Sequence, residues 1–558
     1  MVRNKHFILI FVVFLLFILP ACSIQTIQLP TATPTKTTSP PTPTPSPQPE
    51  PVIWWKDVVF YEIFVRSFYD SDGDGIGDFQ GIIQKMDYLN DGDPNTQDDL
   101  GIGGIWLMPI NPSPSYHGYD VTDYYAVNPD YGTMEDFKEF LQEAKSRGIK
   151  VIIDLVLNHT STEHPWFQAS VDPESEYHDW YVWSESDPQT AGPWFQDVWH
   201  RNNSNGLFYY GVFWGGMPDL NYDNPDVSAE MMKVSKFWLE EVGVDGFRVD
   251  AARYLFADGM VQSDTKETVQ WFEDWRSFYK EVNPDAFTVG EVWAENQITA
   301  KYVEGMDSLF MFDLAEDIKN STYYPDPSRI IEEYLGILTN FPDMHFSTFL
   351  SNHDQQRVMS LYEGMVEKAK LGAFVYLTGP GVPFIYYGEE IGMLGNKPDE
   401  LLRTLMQWSG GTNTGFTTGT PWQPANESYT EINVALQEDD PSSLLNHYRF
   451  LVNLRNQHPA LRTGAYLPFT SSCRLIYPVL RVDDEEAFML IANLDRRVQE
   501  GCILTIEESP LAGEYHLETI FGIGEFEPIV FDENGAVAQY RIQKDLDPYE
   551  SLILMLGN

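Results

Sequence analysis

The stretch VDGFRVDAARYL (244–255) follows SAEMMKVSKFWLEEVG (228–243), and the join between the two decides the fold. The earlier segment repeats apolar residues at helical spacing, whereas VDGFRVD is short, mostly apolar and strand-like. A helix feeding a short apolar strand is the building unit of a parallel sheet covered on both faces. Seven more such runs occur: VVFYEIFVRSF (58–68), GIGGIWLMPI (101–110), KVIIDLVLNH (150–159), AFTVGEVW (286–293), DSLFMFDL (307–314), HFSTFLSNHD (345–354) and VPFIYYGEE (382–390). Helix-like stretches such as TMEDFKEFLQEAKSRG (133–148) lie between them. Eight strands with helical crossovers predict a closed parallel (β/α)8 TIM barrel.

Polar residues gather at the C-terminal ends of these strands: Asn158-His159, Asp250, Glu291, His353-Asp354 and Glu389-Glu390. That is the face on which such barrels build active sites. Arg248 and Asp250 stand two apart, so on a strand both side chains leave the same face. A structural ion pair is the plain reading of that pair, and a paired catalytic carboxylate is the sharper one.

The gap between the third and fourth strands is long, and residues 160–224 are rich in Trp, Tyr, His, Asn and Pro. They read as a small inserted domain. The barrel then comprises 53–159 and 225–464. After the helix-like SSLLNHYRFLVNLRNQHPALRTG (442–464), residues 465–558 change to short alternating runs such as RLIYPVLRV and SLILMLGN. These predict a C-terminal antiparallel β-sandwich domain.

The N-terminus MVRNKHFILIFVVFLLFILPAC pairs Arg3 and Lys5 with an apolar run too short for an ordinary membrane span, so residues 1–21 read as an export leader. Leu19-Pro20-Ala21-Cys22 resembles a bacterial lipobox, which makes Cys22 the expected lipidation site of a surface lipoprotein. Residues 22–52, rich in Pro and Thr, read as an extended tether. Export permits a disulfide between Cys473 and Cys502 without assigning one. The net charge of −48 argues against nucleic-acid partners and against anionic membrane surfaces, leaving the lipid anchor as the expected membrane contact.

Seven segments taken in order, GIGGIWLMPI, DLVLNH, GMPDLN, GFRVDAARYL, GEVW, FLSNHD and GVPFIYYGEE, resemble the α-amylase family of glycoside hydrolases over nearly all of 54–558. GMPDLN (216–221) is similar to an intermediate group within it. A retaining glycosidase needs one ionised carboxylate as nucleophile and one protonated carboxyl as acid, about 5 Å apart. Asp250 and Glu291 end neighbouring strands. Arg248 is expected to keep Asp250 ionised, and Glu291, with no cation beside it in sequence, to carry a raised pKa. The resemblance implies that Asp250 is the nucleophile, Glu291 the acid/base and Asp354 a third carboxylate that binds ring hydroxyls. It also implies that His117, His159 and His353 contact sugar hydroxyls and that Tyr119 stacks on the sugar. Trp293 alternates onto the face of Glu291 and is expected on the leaving side.

DSDGDGIGD (70–78) carries carboxylates at alternate positions with glycines at the bends. It begins like an EF-hand loop, but Gly81 stands at the twelfth position and a strand precedes it. Relatives hold calcium in such a loop, so Ca2+ bound by Asp70, Asp72, Asp74, the Ile76 carbonyl and Asp78 is expected. Asn158 and Asp219 match ligands of a further calcium site in the family. YHGYD (116–120) lacks the acid found in exo-acting relatives and favours internal cleavage of α-1,4-glucans such as starch and maltooligosaccharides. LRTLMQW (402–408) and NTGFTTGTPW (413–422) instead resemble oligosaccharide-acting members, which keeps a neopullulanase-like or cyclomaltodextrinase-like hydrolase and a 4-α-glucanotransferase as alternatives. A monomer is expected.

Overall fold

The structure is a computed structural model that describes residues 53–257 and 259–557. The leader, Cys22 and the tether lie outside the described residues. Eight parallel strands form one sheet: β1 (Phe60–Ile63), β2 (Gly104–Leu107), β3 (Lys150–Leu155), β4 (Gly246–Val249), β5 (Phe287–Gly290), β6 (Ser308–Leu309), β7 (Ser347–Thr348) and β8 (Val382–Tyr386). They run in the order β7-β8-β1-β2-β3-β4-β5-β6, and a parallel bridge from Phe310 to Ser347 brings β6 back to β7. The barrel expected from the alternating runs is therefore formed. Its sixth strand is shorter than the 307–314 run suggests, because helix Phe312–Tyr323 begins there.

The barrel interior is aromatic. Phe60, Trp106, Phe287, Phe310, Phe349 and Phe384 are buried together, with the Phe60 and Phe384 rings stacked at 4.5 Å. Outside, helices lay apolar faces on the strands. Helix Met134–Ser146 starts at a capping box between Thr133 and Asp136 and buries Phe137, Phe140 and Ala144. Helix Lys266–Val282, capped by Thr265, buries Trp271, Phe272, Trp275 and Tyr279. Gly246 opens β4 at φ +154°, where a Cβ would stand 1.8 Å from the Phe287 carbonyl oxygen, so only glycine lets β4 and β5 approach.

Residues 160–224 leave the barrel after β3. They form helix Pro165–Ser170 and a small antiparallel sheet of Trp183–Ser184, Phe208–Tyr210 and Trp199–Arg201. Beyond 464, a six-stranded and a three-stranded antiparallel sheet enclose a second core that includes Leu480, Met489, Leu504, Tyr540 and Leu554. A disulfide joins Cys473 to Cys502 in this region.

Candidate active site

Two charged residues inside neighbouring barrel strands stand side by side. Asp154 on β3 is paired in register with Arg248 on β4. The Arg248 side chain, 1% exposed, donates to three carboxylates: Asp154 at 2.7 Å, Asp250 at 2.8 Å and Glu291 at 2.6 Å. One guanidinium thus ties together the ends of β4 and β5. Just past β4, Ala251 sits at φ +47°, a left-handed turn that points its N–H at Glu291 Oε2, 3.1 Å away. Left-handed backbone at a residue other than glycine is strained, and such strain collects at functional sites.

A second array supports Asp354. Arg403 donates to its Oδ1 at 2.7 Å, and His353 Nε2 lies 3.2 Å from its Oδ2. His353 also reaches Glu62 on β1 through Nδ1 at 2.5 Å and the Tyr119 hydroxyl through Nε2 at 2.7 Å. The Tyr119 hydroxyl donates to Asp154 at 3.0 Å, which joins the two arrays.

The electrostatics follow from burial and these partners. Burial works against a charged His353, but Asp354 and Glu62 outweigh it and push its pKa up to about 9. Burial would lift Asp354, yet His353 and Arg403 hold it well below the usual carboxylate range. Burial pushes Asp250 up to about 7 against the pull of Arg248. Burial also raises Glu291, again opposed by Arg248, with Asp250 and Asp354 adding to the rise. Arg248 makes the expected contact with Asp250, but burial outweighs its pull on that carboxylate. The rise at Glu291 is in the expected direction, although the fold brings Arg248 to within 2.6 Å of it. His159 is buried, falls to about 3 and is neutral. Burial lowers His117 as well.

A cavity of about 330 Å³ opens over this network. It is lined by His117, Tyr119, His159, Asp250, Glu291 and Asp354, with Phe213, Trp214 and Met217 from the insert and Asp399 and Arg403 from the segment after β8. Trp293 lines an adjoining cavity and stacks on Phe312 at 4.6 Å. Arg248 and His353 lie behind the wall. Glu389 and Glu390 do not converge on the cavity: Glu389 accepts from Tyr376, Tyr448 and Ser351, and Glu390 from Tyr61 and Tyr88. Sequence reasoning missed Glu62, Asp154, Arg403 and Trp422, whose ring stacks on Tyr116 at 5.4 Å. For Glu62 and Asp154 a clue was present, since each is a lone acid inside an apolar strand.

In loop 70–78, carboxylate oxygens of Asp70, Asp72 and Asp78 lie within 4.8 Å of one another, a hard-oxygen set that could bind a metal ion. Asp74 stands outside that group, with its Oδ1 accepting from Ile76 N. The loop is tied to the segment after β8: Asp70 N donates to the Phe416 carbonyl at 3.1 Å, Thr417 Oγ1 donates to Asp70, and Trp422 N donates to the Gly75 carbonyl at 2.9 Å. Where the insert meets the barrel, Asn158 Oδ1 and Asp219 Oδ2 are buried without a partner, and burial pushes Asp219 up to about 8. Orphaned buried oxygens of this kind fit a cation.

The family description "Alpha amylase, catalytic domain" matches residues 62–464. The chain is 42% identical over 450 residues to Alpha-amylase 3 of Dictyoglomus thermophilum, covering 79% of this chain and 86% of that protein. It is 34% identical over 441 residues to a 4-alpha-glucanotransferase of Thermotoga neapolitana, covering 78% and 95%. The crystal structure of an alpha-amylase from H. orenii superposes with a TM-score of 0.78 at 41% identity, covering 90% of this chain and all of that one.

Proposed function

The chain belongs to the α-amylase family of glycoside hydrolases, and from that premise we propose that it cleaves α-1,4-glucosidic bonds within starch-type glucans and maltooligosaccharides, with retention, through a covalent glycosyl-enzyme intermediate. The observation that carries the reading is the shared guanidinium: Arg248 holds Asp250 and Glu291 side by side at the cavity floor. In this reading ionised Asp250 attacks C1 while Glu291 gives its proton to the departing glycosidic oxygen. Forming the ester removes the charge of Asp250, one of the influences that raise Glu291. Glu291 then becomes the base that takes a proton from water, the water oxygen bonds to C1, and Asp250 is released. Asp354, held ionised, accepts hydrogen bonds from ring hydroxyls, and the Tyr119 ring supplies the stacking wall.

Internal cleavage fits the absence of an acid at Tyr116 and His117. Hydrolysis of short oligosaccharides, pullulan or cyclodextrins, or 4-α-glucan transfer, has one observation in its favour. Arg403, from the segment 402–408 that resembles oligosaccharide-acting members, enters the cavity with Asp399 3.5 Å away. Product analysis separates these readings. Rapid loss of starch viscosity with mixed α-configured oligosaccharides is the expected result. Slow attack on starch with panose or maltose from pullulan or cyclodextrin would favour the second reading, and products longer than the starting chain would favour transfer.

The proposal extends to calcium and location. Asp70, Asp72 and Asp78 would hold one Ca2+, and Asn158 and Asp219 would contribute to another; the ion would neutralise clustered carboxylates and pin loops, with no part in glycosyl transfer. Export with lipid on Cys22 and domain boundaries at 160, 225 and 465, supported by the sequence patterns given above, complete it, together with a monomeric state.

A further inference from the structure

His353 is wholly buried, and its ring meets a second buried group, Glu62 of β1, from 291 residues away in the chain. A neutral imidazole donates at one nitrogen and accepts at the other, whereas an imidazolium donates at both. Nδ1 lies 2.5 Å from Glu62 Oε1, and an ionised carboxylate only accepts. Nε2 lies 3.2 Å from Asp354 Oδ2, a second carboxylate, and 2.7 Å from the Tyr119 hydroxyl. That hydroxyl has one proton, which it gives to Asp154 at 3.0 Å, and it already accepts from Arg248 at 3.2 Å. Both ring nitrogens therefore face acceptors, and His353 carries a proton on each.

Charged and titratable groups surround the ring from every neighbouring element. Glu62 stands on β1, Tyr119 after β2, Asp154 on β3, Arg248 on β4 with Asp250 just past it, and Asp354 after β7. Arg403, after β8, donates to the His353 carbonyl at 3.0 Å. The two arginines repel a proton on the ring, and burial opposes it as well. Asp354 already has Arg403 as a partner at 2.7 Å. Among the described residues Glu62 has no ion-pair partner other than His353. It is the acid given over to this ring.

We propose that Glu62 is a positioning residue: by accepting from Nδ1 it keeps His353 a donor on both sides, which fixes the direction of the hydrogen-bond chain from His353 through Tyr119 to Asp154 and holds Asp354 in place for the sugar. The proposal rests on the glycosidase reading and deepens it. With no charge at position 62, the ring sheds its second proton more readily. A bare Nε2 would face the oxygens of Tyr119 and Asp354, and the Tyr119 hydroxyl would turn from Asp154 to the ring. Asp154 would then lose a donor and compete harder for Arg248, the guanidinium that Asp250 and Glu291 share. Against burial, Asp354 and Glu62 push the ring's pKa up to about 9. The charged ring is present below that value and is lost as pH rises through it. Without Glu62 the loss comes at least about one unit lower, the usual effect of removing an opposite charge in contact.

The test uses the full chain and Glu62→Gln, which keeps the shape of the side chain and removes its charge. kcat/KM on maltoheptaose is measured across the histidine range and expressed as the ratio of variant to wild type. Asp250 and Glu291 titrate in both proteins, so the ratio largely cancels their limbs. It is expected to stay near one on the acid side, where the ring is charged in both proteins. On the alkaline side, where the wild-type ring alone is charged, it should fall about ten-fold or more, the equivalent of one pKa unit. Glu62→Asp restores a carboxylate and should bring the alkaline ratio back towards one. Nitrogen NMR on isotope-labelled histidine, with the His353 signals identified by their loss in His353→Asn, should show both ring nitrogens protonated at neutral pH in the wild type. In Glu62→Gln the same signals should titrate at least about one unit lower. A ratio that does not change with pH overturns the proposal: a uniformly low one marks a purely structural glutamate, and one near unity marks no role. A neutral His353 ring in the wild-type protein at neutral pH overturns it as well. A wild-type protein that cleaves no α-1,4-glucan removes the glycosidase reading instead, and the nitrogen signals, which need no turnover, tell that failure from this one.

Discussion

Asp250 is held between opposing influences: burial raises it to about 7, and Arg248, 2.8 Å away, draws it down. As nucleophile it must be ionised, so activity should fall as pH drops through its pKa. Glu291 must carry a proton, so activity should fall as pH rises through its own, also lifted by burial. The kcat/KM profile is therefore expected to be a bell whose acid limb lies well above an ordinary aspartate, with both limbs belonging to the coupled pair. An acid limb near the usual aspartate value would show that Arg248 outweighs burial. Asp250→Asn keeps the shape and removes the nucleophile, and kcat should drop by roughly 10⁴-fold or more, as when a central catalytic group is deleted elsewhere. Residual turnover within about ten-fold of wild type, a barrier change of only ~1.4 kcal/mol, would exclude this role. The sequence made Asp250, Glu291 and Asp354 legible because each ends an apolar run. Arg403 was not legible, because its salt bridge to Asp354 spans 49 residues and exists only once the barrel closes.

At the scale of elements, strand ends and the loops after them place the chemistry, and the loops divide between catalysis and support. Glu389 and Glu390 look like site residues in sequence, yet β8 turns so that both are enclosed by tyrosine hydroxyls. Strand ends announce a face, but not which end residues turn into the cavity. Loop 70–78 is a support. Its backbone is bonded to 416–422, and Trp422 at the end of that segment stacks on Tyr116 beside the cavity. A cation on Asp70, Asp72 and Asp78 would relieve their mutual repulsion and brace that wall. Adding calcium to chelator-treated protein should raise Tm by about 3–6 °C, as expected of a ligand well above its Kd on a large domain. Asp72→Asn is the clean variant, because Asp72 is the exposed member of the group and accepts from one backbone N–H, that of Asp74, which an asparagine oxygen can still serve, while Asp70 and Asp78 each accept from two or more. Its calcium-dependent shift should be smaller than wild type, leaving the contribution of Asn158 and Asp219. An identical shift would place no calcium on this loop.

For the whole molecule the dominant quantity is charge. Even if every lysine and arginine found an acidic partner, the formal charge of −48 means that 48 acids would remain without one. Salt acts on two opposed effects. It weakens exposed ion pairs such as Lys236–Glu240, each worth about 0–1 kcal/mol. It also screens repulsion among the unpaired acids, with the Debye length shrinking from about 30 Å at 0.01 M to about 3 Å at 1 M. Buried pairs such as Arg248–Asp154 are nearly indifferent to both. The exposed pairs are few and weak, whereas the repulsion sums over the whole surface of the compact chain and is relieved by unfolding. Repulsion therefore wins, and Tm should rise as sodium chloride increases from about 0.01 to 0.5 M, most steeply over the first tenth molar, where screening changes fastest. Sucrose at matched osmolality separates screening from solute exclusion, since it leaves charges unscreened. A Tm that stays level or falls with salt would mean that the acids are spaced widely enough not to oppose folding, and that the ion pairs decide the balance.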